Sequence, residues 1–154
     1  MYIKCSDNFD ASTFSDDTNI RVKNAHNTTS EELLSIYAYD PSFLVRYNVA
    51  NNPRTPGEVL ADIYQGVYTK TETNNGTVIA AEDQRKGIDL ALAKHPNTPP
   101  EILEELSKSE LWSVRWKVAS NPNASDNTIL ALVDDSDCDV RCKACIQAND
   151  RGLL

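Results

Sequence analysis

Val45-Arg46-Tyr47-Asn48-Val49-Ala50-Asn51-Asn52-Pro53-Arg54-Thr55-Pro56-Gly57-Glu58-Val59-Leu60 contains an apolar turn stopped by Asn-Pro and followed by a proline-led, aliphatic helix start. The same order returns in Ile88-Asp89 with His95-Pro96-Asn97-Thr98-Pro99-Pro100-Glu101-Ile102-Leu103. It returns again in Val114-Arg115 with Asn121-Pro122-Asn123-Ala124-Ser125, and Val140-Arg141 starts it once more. Pro96 and Pro122 stand 26 residues apart, as do Val114 and Val140, while Thr28 and Thr55 stand 27 apart. A unit of this size cannot bury its own apolar face and must stack on its neighbours. The pattern therefore predicts an all-α fold, a short α-solenoid of stacked two-helix repeats with a period of about 26 residues. Thr55 to Thr98 is 43, one period plus 17, which places an insertion within residues 65–86.

The second helix of each unit is expected at 29–38, 56–65, 99–107 and 126–134. Thr28-x-x-Glu31, Thr55-x-x-Glu58 and Thr98-x-x-Glu101 read as capping boxes, in which hydroxyl and carboxylate satisfy each other's orphan amides. Ala124 interrupts the fourth box, leaving Asn123 or Ser125 as the cap. The apolar pairs Leu33 and Ile36, Leu60 and Ile63, Leu103 and Leu106, and Ile129 and Leu132 have the i, i+3 spacing of a buried helical stripe. The first helices, expected near 43–51, 87–94, 112–120 and 138–147, look compact enough to be partly 3₁₀, with Asp40, Ser109 and Asp135 as caps. Asn-Pro ends them, because the residue before proline is pushed out of helical geometry.

The Val-Arg, Asn-Pro-x-Thr-Pro-x-Glu-x-Leu pattern resembles the leucine-rich repeat variant family, over about residues 20–148 without the insertion. The resemblance implies a HEAT- and armadillo-like superhelix of alternating α- and 3₁₀-helices. It does not imply one function, since such scaffolds host many. The first-described member carries an iron–sulfur cluster in a separate cysteine module that has no counterpart here.

Residues 1–19 are polar, with Phe9 and Phe14 as anchors, and read as an N-terminal cap segment. Residues 20–154 read as one repeat domain. Within the insertion, Val67-Tyr68-Thr69-Lys70 and Val78-Ile79 flank Asn74-Asn75-Gly76, which suits a small hairpin or a mobile loop. Ile146, Leu153 and Leu154 follow the last first-helix, and the two leucines are expected to fold back as a lid.

The 154-residue chain carries a formal net charge of −8, which works against nonspecific attraction to nucleic acid or anionic membranes. Met1-Tyr2-Ile3-Lys4 leads into a polar stretch without the marks of a signal peptide, and no apolar run reaches the length of a membrane span, so a cytoplasmic location is expected. Cys5, Cys138, Cys142 and Cys145 then read as reduced thiols.

Cys138-x₃-Cys142-x₂-Cys145 has iron–sulfur spacing, yet in register the three replace Phe43 and Trp112, Tyr47 and Trp116, and Ala50 and Ala119. Packing as small hydrophobes without metal is the preferred reading. Arg46, Arg115, Lys117, Arg141 and Lys143 form either a phosphate-binding stripe or a structural ladder. Asp89, standing between Arg46 and Arg115 in register, favours a ladder in which it bridges one of them. His26 and His95 have no nucleophile or carboxylate partner in a recognisable triad, and His95 replaces Asn52 and Asn121 as a helix stop. The acidic run Asp134 to Asp139 lacks the EF-hand glycine and glutamate and reads as a capping loop.

These readings converge on a non-catalytic protein-binding module with no cofactor. Its partner is expected to be another protein, docked on the curved face or on Val67, Tyr68, Thr69, Lys70, Val78 and Ile79 of the insertion. The alternative is a nucleic-acid-related protein, acting through the Arg/Lys stripe or as an acidic inhibitor of a nucleic-acid-binding partner. An iron–sulfur protein ranks third.

Overall fold

The computed structural model describes residues 14–69 and 81–154. Among the described residues there are nine α-helices and no strand: α1 (Thr18–Asn27), α2 (Glu31–Tyr37), α3 (Phe43–Asn51), α4 (Gly57–Thr69), α5 (Ala81–Lys94), α6 (Pro100–Leu106), α7 (Trp112–Ala119), α8 (Asp126–Leu132) and α9 (Cys138–Asp150). The odd-numbered helices pack in sequence, α1 on α3, α3 on α5, α5 on α7 and α7 on α9, and each even-numbered helix rests on the odd helices before and after it. All-α architecture is thus as expected from the sequence.

Two periodicities build this arrangement. In the odd helices the fully buried residues recur at i, i+4: Val45 and Val49, Ile88 and Leu92, Val114 and Val118, Val140 and Ala144. In the even helices the buried residues recur at i, i+3: Leu60 and Ile63, Leu103 and Leu106, Ile129 and Leu132. Both spacings put two side chains on one helical face. In α2 the buried pair is Leu34 and Tyr37, while Ile36 is exposed and Leu33 only half-buried. The expected pair was one residue out of step, because Ser30, not Thr28, caps α2 and accepts from the Leu33 amide at 3.3 Å.

The capping boxes are not formed as expected. Thr55 and Thr98 are fully buried, and each hydroxyl donates to the carbonyl six residues back, Val49 at 2.6 Å and Leu92 at 2.7 Å. The threonines therefore close the preceding odd helix rather than open the next one. Ser125 does cap α8, accepting from the Thr128 amide at 3.2 Å. The odd helices are also regular α-helices at least as long as α2, α6 and α8, so the expected 3₁₀ character is absent from them.

α4 continues to Thr69 and α5 begins at Ala81, so both ends of the insertion are helical. Val67, Tyr68 and Thr69 form the last turn of α4 instead of a hairpin strand, the helix running on through Gly66. Lys70, Val78 and Ile79 lie outside the described residues.

At the C-terminus Gly152 adopts φ 71°. The Leu153 amide reaches Ala148 O at 2.8 Å and the Gly152 amide reaches Asn149 O at 2.9 Å, a Schellman ending that turns Leu153 onto the core. Of the two leucines expected as a lid, only Leu153 packs on the core, half-buried; Leu154 stays exposed, as does Ile146.

Candidate functional site

Two hydrogen-bond ladders position the surface. The first runs through the turns after the odd helices. Asn52 Nδ2 donates to Ala25 O and Thr28 O, both at 2.9 Å, and to His26 O at 3.3 Å. His95 Nε2 donates to Asn52 O at 2.8 Å, while its Nδ1 accepts from the Asn97 amide at 3.1 Å. Asn121 Nδ2 donates to Ala93 O and His95 O at 2.9 Å, and Arg151 Nη2 reaches Asn121 O at 3.4 Å. His95 is a substitute asparagine here, with one ring nitrogen as donor and the other as acceptor. Burial holds its pKa below the ordinary histidine value, against the raising effect of the Asn52 carbonyl.

The second ladder joins α1, α3, α7 and α9 each to the turn before it. Arg46 Nη1 donates to Asp40 O (2.7 Å) and Pro41 O (3.1 Å). Arg115 Nη1 donates to Ser109 O (2.7 Å) and Glu110 O (3.2 Å). Arg141 Nη1 donates to Asp135 O (2.6 Å) and Ser136 O (3.0 Å). Arg21, which the sequence reading passed over, makes the same pair of bonds to Ser15 O (2.7 Å) and Asp16 O (3.1 Å). Its signal was Ile20-Arg21, one residue out of phase with the later Val-Arg pairs.

The aspartates of these turns serve twice. Asp40 Oδ1 accepts from the Ser42 amide and Asp135 Oδ1 from the Asp137 amide, at 2.7 and 2.8 Å. Ser109 Oγ likewise accepts from the Leu111 amide at 3.3 Å, so Asp40, Ser109 and Asp135 are turn residues two positions before the caps Ser42, Leu111 and Asp137, not the caps themselves. Asp40 also takes Arg21 Nε at 2.7 Å, and Asp135 takes Arg115 Nε at 2.7 Å and Nη2 at 2.9 Å. The Arg115 hydrogen bond holds the Asp135 carboxyl below the usual carboxylate range.

Asp89 does not bridge Arg46 or Arg115. Its ion pair is with Arg85 one turn earlier, at 3.9 Å, while the guanidinium groups of Arg46 and Arg115 are held at the turns before their own helices. Of the cysteines, Cys138 and Cys142 are exposed and Cys145 is half-buried, so the expected packing inside the last unit is not found. At the Cys138 position Trp112 of α7 is exposed as well, at the Cys142 position Trp116 is half-buried, and Ala119, the counterpart of Cys145, is fully buried. In the acidic loop, Asp137 caps α9 through the Asp139 and Val140 amides.

The outward face of α7 and α9 carries a groove of about 620 Å³, floored by Trp112, Trp116 and Ile146 and edged by Lys117, Lys143 and Asp139. Trp112 is 51 % and Ile146 50 % exposed. Lys117 Nζ sits 4.9 Å from the Trp116 ring centroid, a cation–π contact that holds the ammonium at the rim. Of the five basic residues singled out in the sequence, the fold thus gathers Lys117 and Lys143 at the groove and ties Arg46, Arg115 and Arg141 to backbone carbonyls.

Comparison with protein-family models, curated proteins and solved structures finds no match to this chain. No helix among the described residues is long and apolar enough to cross a membrane.

Proposed function

We propose that the chain is a short HEAT-like solenoid, similar to leucine-rich repeat variant proteins, that acts as a non-catalytic protein-binding module. The solenoid reading is supported by the sequential packing of the odd helices and by the two ladders that repeat from turn to turn. The binding reading rests on one observation, the groove between α7 and α9 with a tryptophan half open to solvent. Tryptophan is among the residues that dominate binding energy when a partner covers them, and a two-tryptophan floor with lysines at the rim suits an apolar segment flanked by acidic groups.

The test is affinity purification from the native host with wild type, Trp112→Ala, and a deletion of residues 67–79. Loss of the same partner in Trp112→Ala, with retention in the deletion, places the contact at the groove. The reverse result moves it to the insertion containing Val67, Tyr68, Thr69, Lys70, Val78 and Ile79. Retention in both removes both surfaces from the proposal.

A second reading is favoured by the same tryptophan–lysine pairing, since single-stranded nucleic acid binds by stacking bases on aromatics beside cations. The net charge of −8 opposes it. Salt-sensitive binding of an oligothymidine that is lost in Trp112→Ala would favour this second reading over the first.

A further inference from the structure

The second ladder has an open rung at α9. On α1 and α7 the arginine uses both edges of its guanidinium. Nη1 takes two carbonyls of the turn before the helix, and the Nε–Nη2 edge takes the aspartate of the turn before the next odd helix. Arg21 takes Asp40 in this way and Arg115 takes Asp135, each through Nε at 2.7 Å. The α5–α7 junction lacks the pair, having Asp89 on the helix and Ser109 at the aspartate's position in the turn. Arg141 of α9 makes only the first set of bonds. Its Nη1 reaches Asp135 O at 2.6 Å and Ser136 O at 3.0 Å, and among the described residues nothing accepts from its Nε or Nη2.

That edge is reachable and already oriented. The partnerless side-chain polar atoms sealed from solvent among the described residues are Ser42 Oγ and Asp89 Oδ1, and neither belongs to Arg141. The two carbonyl bonds at Nη1 fix the plane of the guanidinium, so a ligand meets a fork that has no rotamer freedom left to lose. The described residues beyond α9 do not fill it. Gly152 turns the backbone and lays Leu153 on the core, while Arg151, about 15 Å further along the helix, bonds to Ala124 O and Asp126. The carboxylates of the turn before α9 are committed, Asp135 to Arg115 and Asp137 to the Asp139 and Val140 amides.

The two filled rungs indicate what the edge selects. Each holds an aspartate whose Oδ1 also accepts the amide two residues on, in the turns Asp40-Pro41-Ser42 and Asp135-Ser136-Asp137. The turn fixes the carboxylate as the carbonyls fix the arginine, and a planar fork pairs best with a planar carboxylate. A second copy stacked end to end would bring Ser15 to this place, in register with Asp40 and Asp135, and serine carries no charge.

We infer that the Nε–Nη2 edge of Arg141 receives the aspartate of an Asp-x-Ser or Asp-x-Asp turn on a partner protein. The inference rests on the protein-binding reading for the source of the carboxylate, and not on the tryptophan groove.

The probe is the capped peptide acetyl-Asp-Pro-Ser-Phe-Leu amide, a copy of the Asp40 turn, titrated against the full chain and followed by NMR at the arginine Nε–Hε signals. A saturable shift of the Arg141 signal is expected, with a dissociation constant on the order of millimolar for a single ion-paired contact. The Arg115 signal, its edge filled by Asp135, should stay in place. The same peptide with asparagine for aspartate should bind at least about tenfold more weakly. Arg141→Lys, which keeps the charge without the fork, should also bind the probe at least about tenfold more weakly. Its thermal transition reports whether it folds, and the two peptides compared on wild type decide the matter if it does not.

Unsaturable shifts, equal binding of the asparagine peptide, or equal shifts at Arg115 and Arg141 would reduce the effect to nonspecific contact and overturn the inference. Undiminished binding by a folded Arg141→Lys would reduce it to attraction by a point charge. Inorganic phosphate binding at least about tenfold tighter than the peptide at the same signal would assign the edge to a phosphoryl group. Self-association in sedimentation that is lost in Arg141→Lys would assign it to a second copy of the chain. Because the readout is one guanidinium and a short peptide, the outcome of affinity purification with Trp112→Ala leaves it unchanged, and the two readings fail separately.

Discussion

The α7–α9 junction and the α5–α7 junction use the same backbone register and reach opposite electrostatic outcomes. At the first, Arg115 grips both oxygens of Asp135 at 2.7 and 2.9 Å and two turn carbonyls as well. At the second, Asp89 faces Ser109 across a cavity with one oxygen unmet. Yet the apolar pairs Ile88/Leu92 and Val114/Val118 are fully buried on either side, and the Asn52–His95–Asn121 ladder passes through without a break. Packing and the turn ladder therefore carry the fold across both junctions. The arginine–aspartate pair is an addition that one junction can lack.

The strongest way to break the comparison is Arg115→Ala. Both partners are nearly buried, with 12 % and 6 % of their side chains exposed, so removing the arginine strands the Asp135 carboxylate and leaves two turn carbonyls short of a donor. A loss of about 3 kcal/mol is expected by denaturant titration, in the range found when one member of a buried pair is removed. The pair should also show its sign in acid. The Asp135 carboxyl is held below its ordinary value of 3.8, so its contribution is present above that pH and lost as pH falls through the folded value. Arg115→Ala should flatten that acid limb. A change below about 0.5 kcal/mol would mean that the pair contributes nothing and that the junctions do not differ in strength.

The comparison is sharpened by converting one junction into the other. Asp89→Arg with Ser109→Asp rebuilds the pair found at Arg115 and Asp135. Neither single change supplies both charges, so the double-mutant cycle should show a favourable coupling of about 2 kcal/mol, within the usual span for residues in contact. Additivity within about 0.5 kcal/mol would show that the register is not equivalent at the two junctions.

How much of this was legible beforehand depends on which physical signal carried it. The all-α class, the order of the helices and the buried pairs Leu60/Ile63, Leu103/Leu106 and Ile129/Leu132 follow from periodicity, which is a local property. The α2 pair was misplaced by one residue because Thr28 and Ser30 are both plausible caps, and only packing of Leu34 and Tyr37 decides between them. Thr55 and Thr98 serve the helix before them and not the one after for a reason spacing does not carry: a threonine hydroxyl can accept forward or donate backward, and only the fold fixes its direction. The groove at Trp112, Trp116 and Ile146 needed the relation between α7 and α9, which no single stretch encodes. Asp89 stood out in the register, but the hollow beside it is a tertiary fact.

A smaller effect is expected from Asp89→Asn. Burial pushes the Asp89 carboxyl above its ordinary value, with Arg85 partly offsetting the shift. A raised folded pKa means a contribution that is full below the unfolded value of 3.8 and lost as pH rises through the folded one. At neutral pH the charge is thus a burden on the native state, and neutralising it should gain about 1 kcal/mol in urea unfolding. The gain should shrink as pH is lowered toward 4 in the same buffer series. A loss of stability at pH 7 would show that Arg85 already compensates the carboxylate, and the contrast with Asp135 would narrow.

The smallest change is expected at His95, where the ladder common to both junctions can be tested by itself. His95 donates through Nε2 to Asn52 O and accepts at Nδ1 from the Asn97 amide, so a second proton would set two N–H groups against each other. Burial is the main cause of its lowered pKa, and Lys94 adds to it. The unfolded chain, with an ordinary histidine near 6.5, therefore binds more protons than the native one just below that value. Native stability is complete above pH 6.5 and declines as pH falls through it toward the lowered folded value. Asn52 and Asn121 perform the same two bonds with an amide that does not titrate. His95→Asn should therefore change stability by less than about 1 kcal/mol at pH 7.5 while removing the decline below pH 6.5 in urea unfolding. Persistence of that decline would show that His95 is not its source, and a large loss at pH 7.5 would show that the imidazole packs in a way asparagine cannot reproduce.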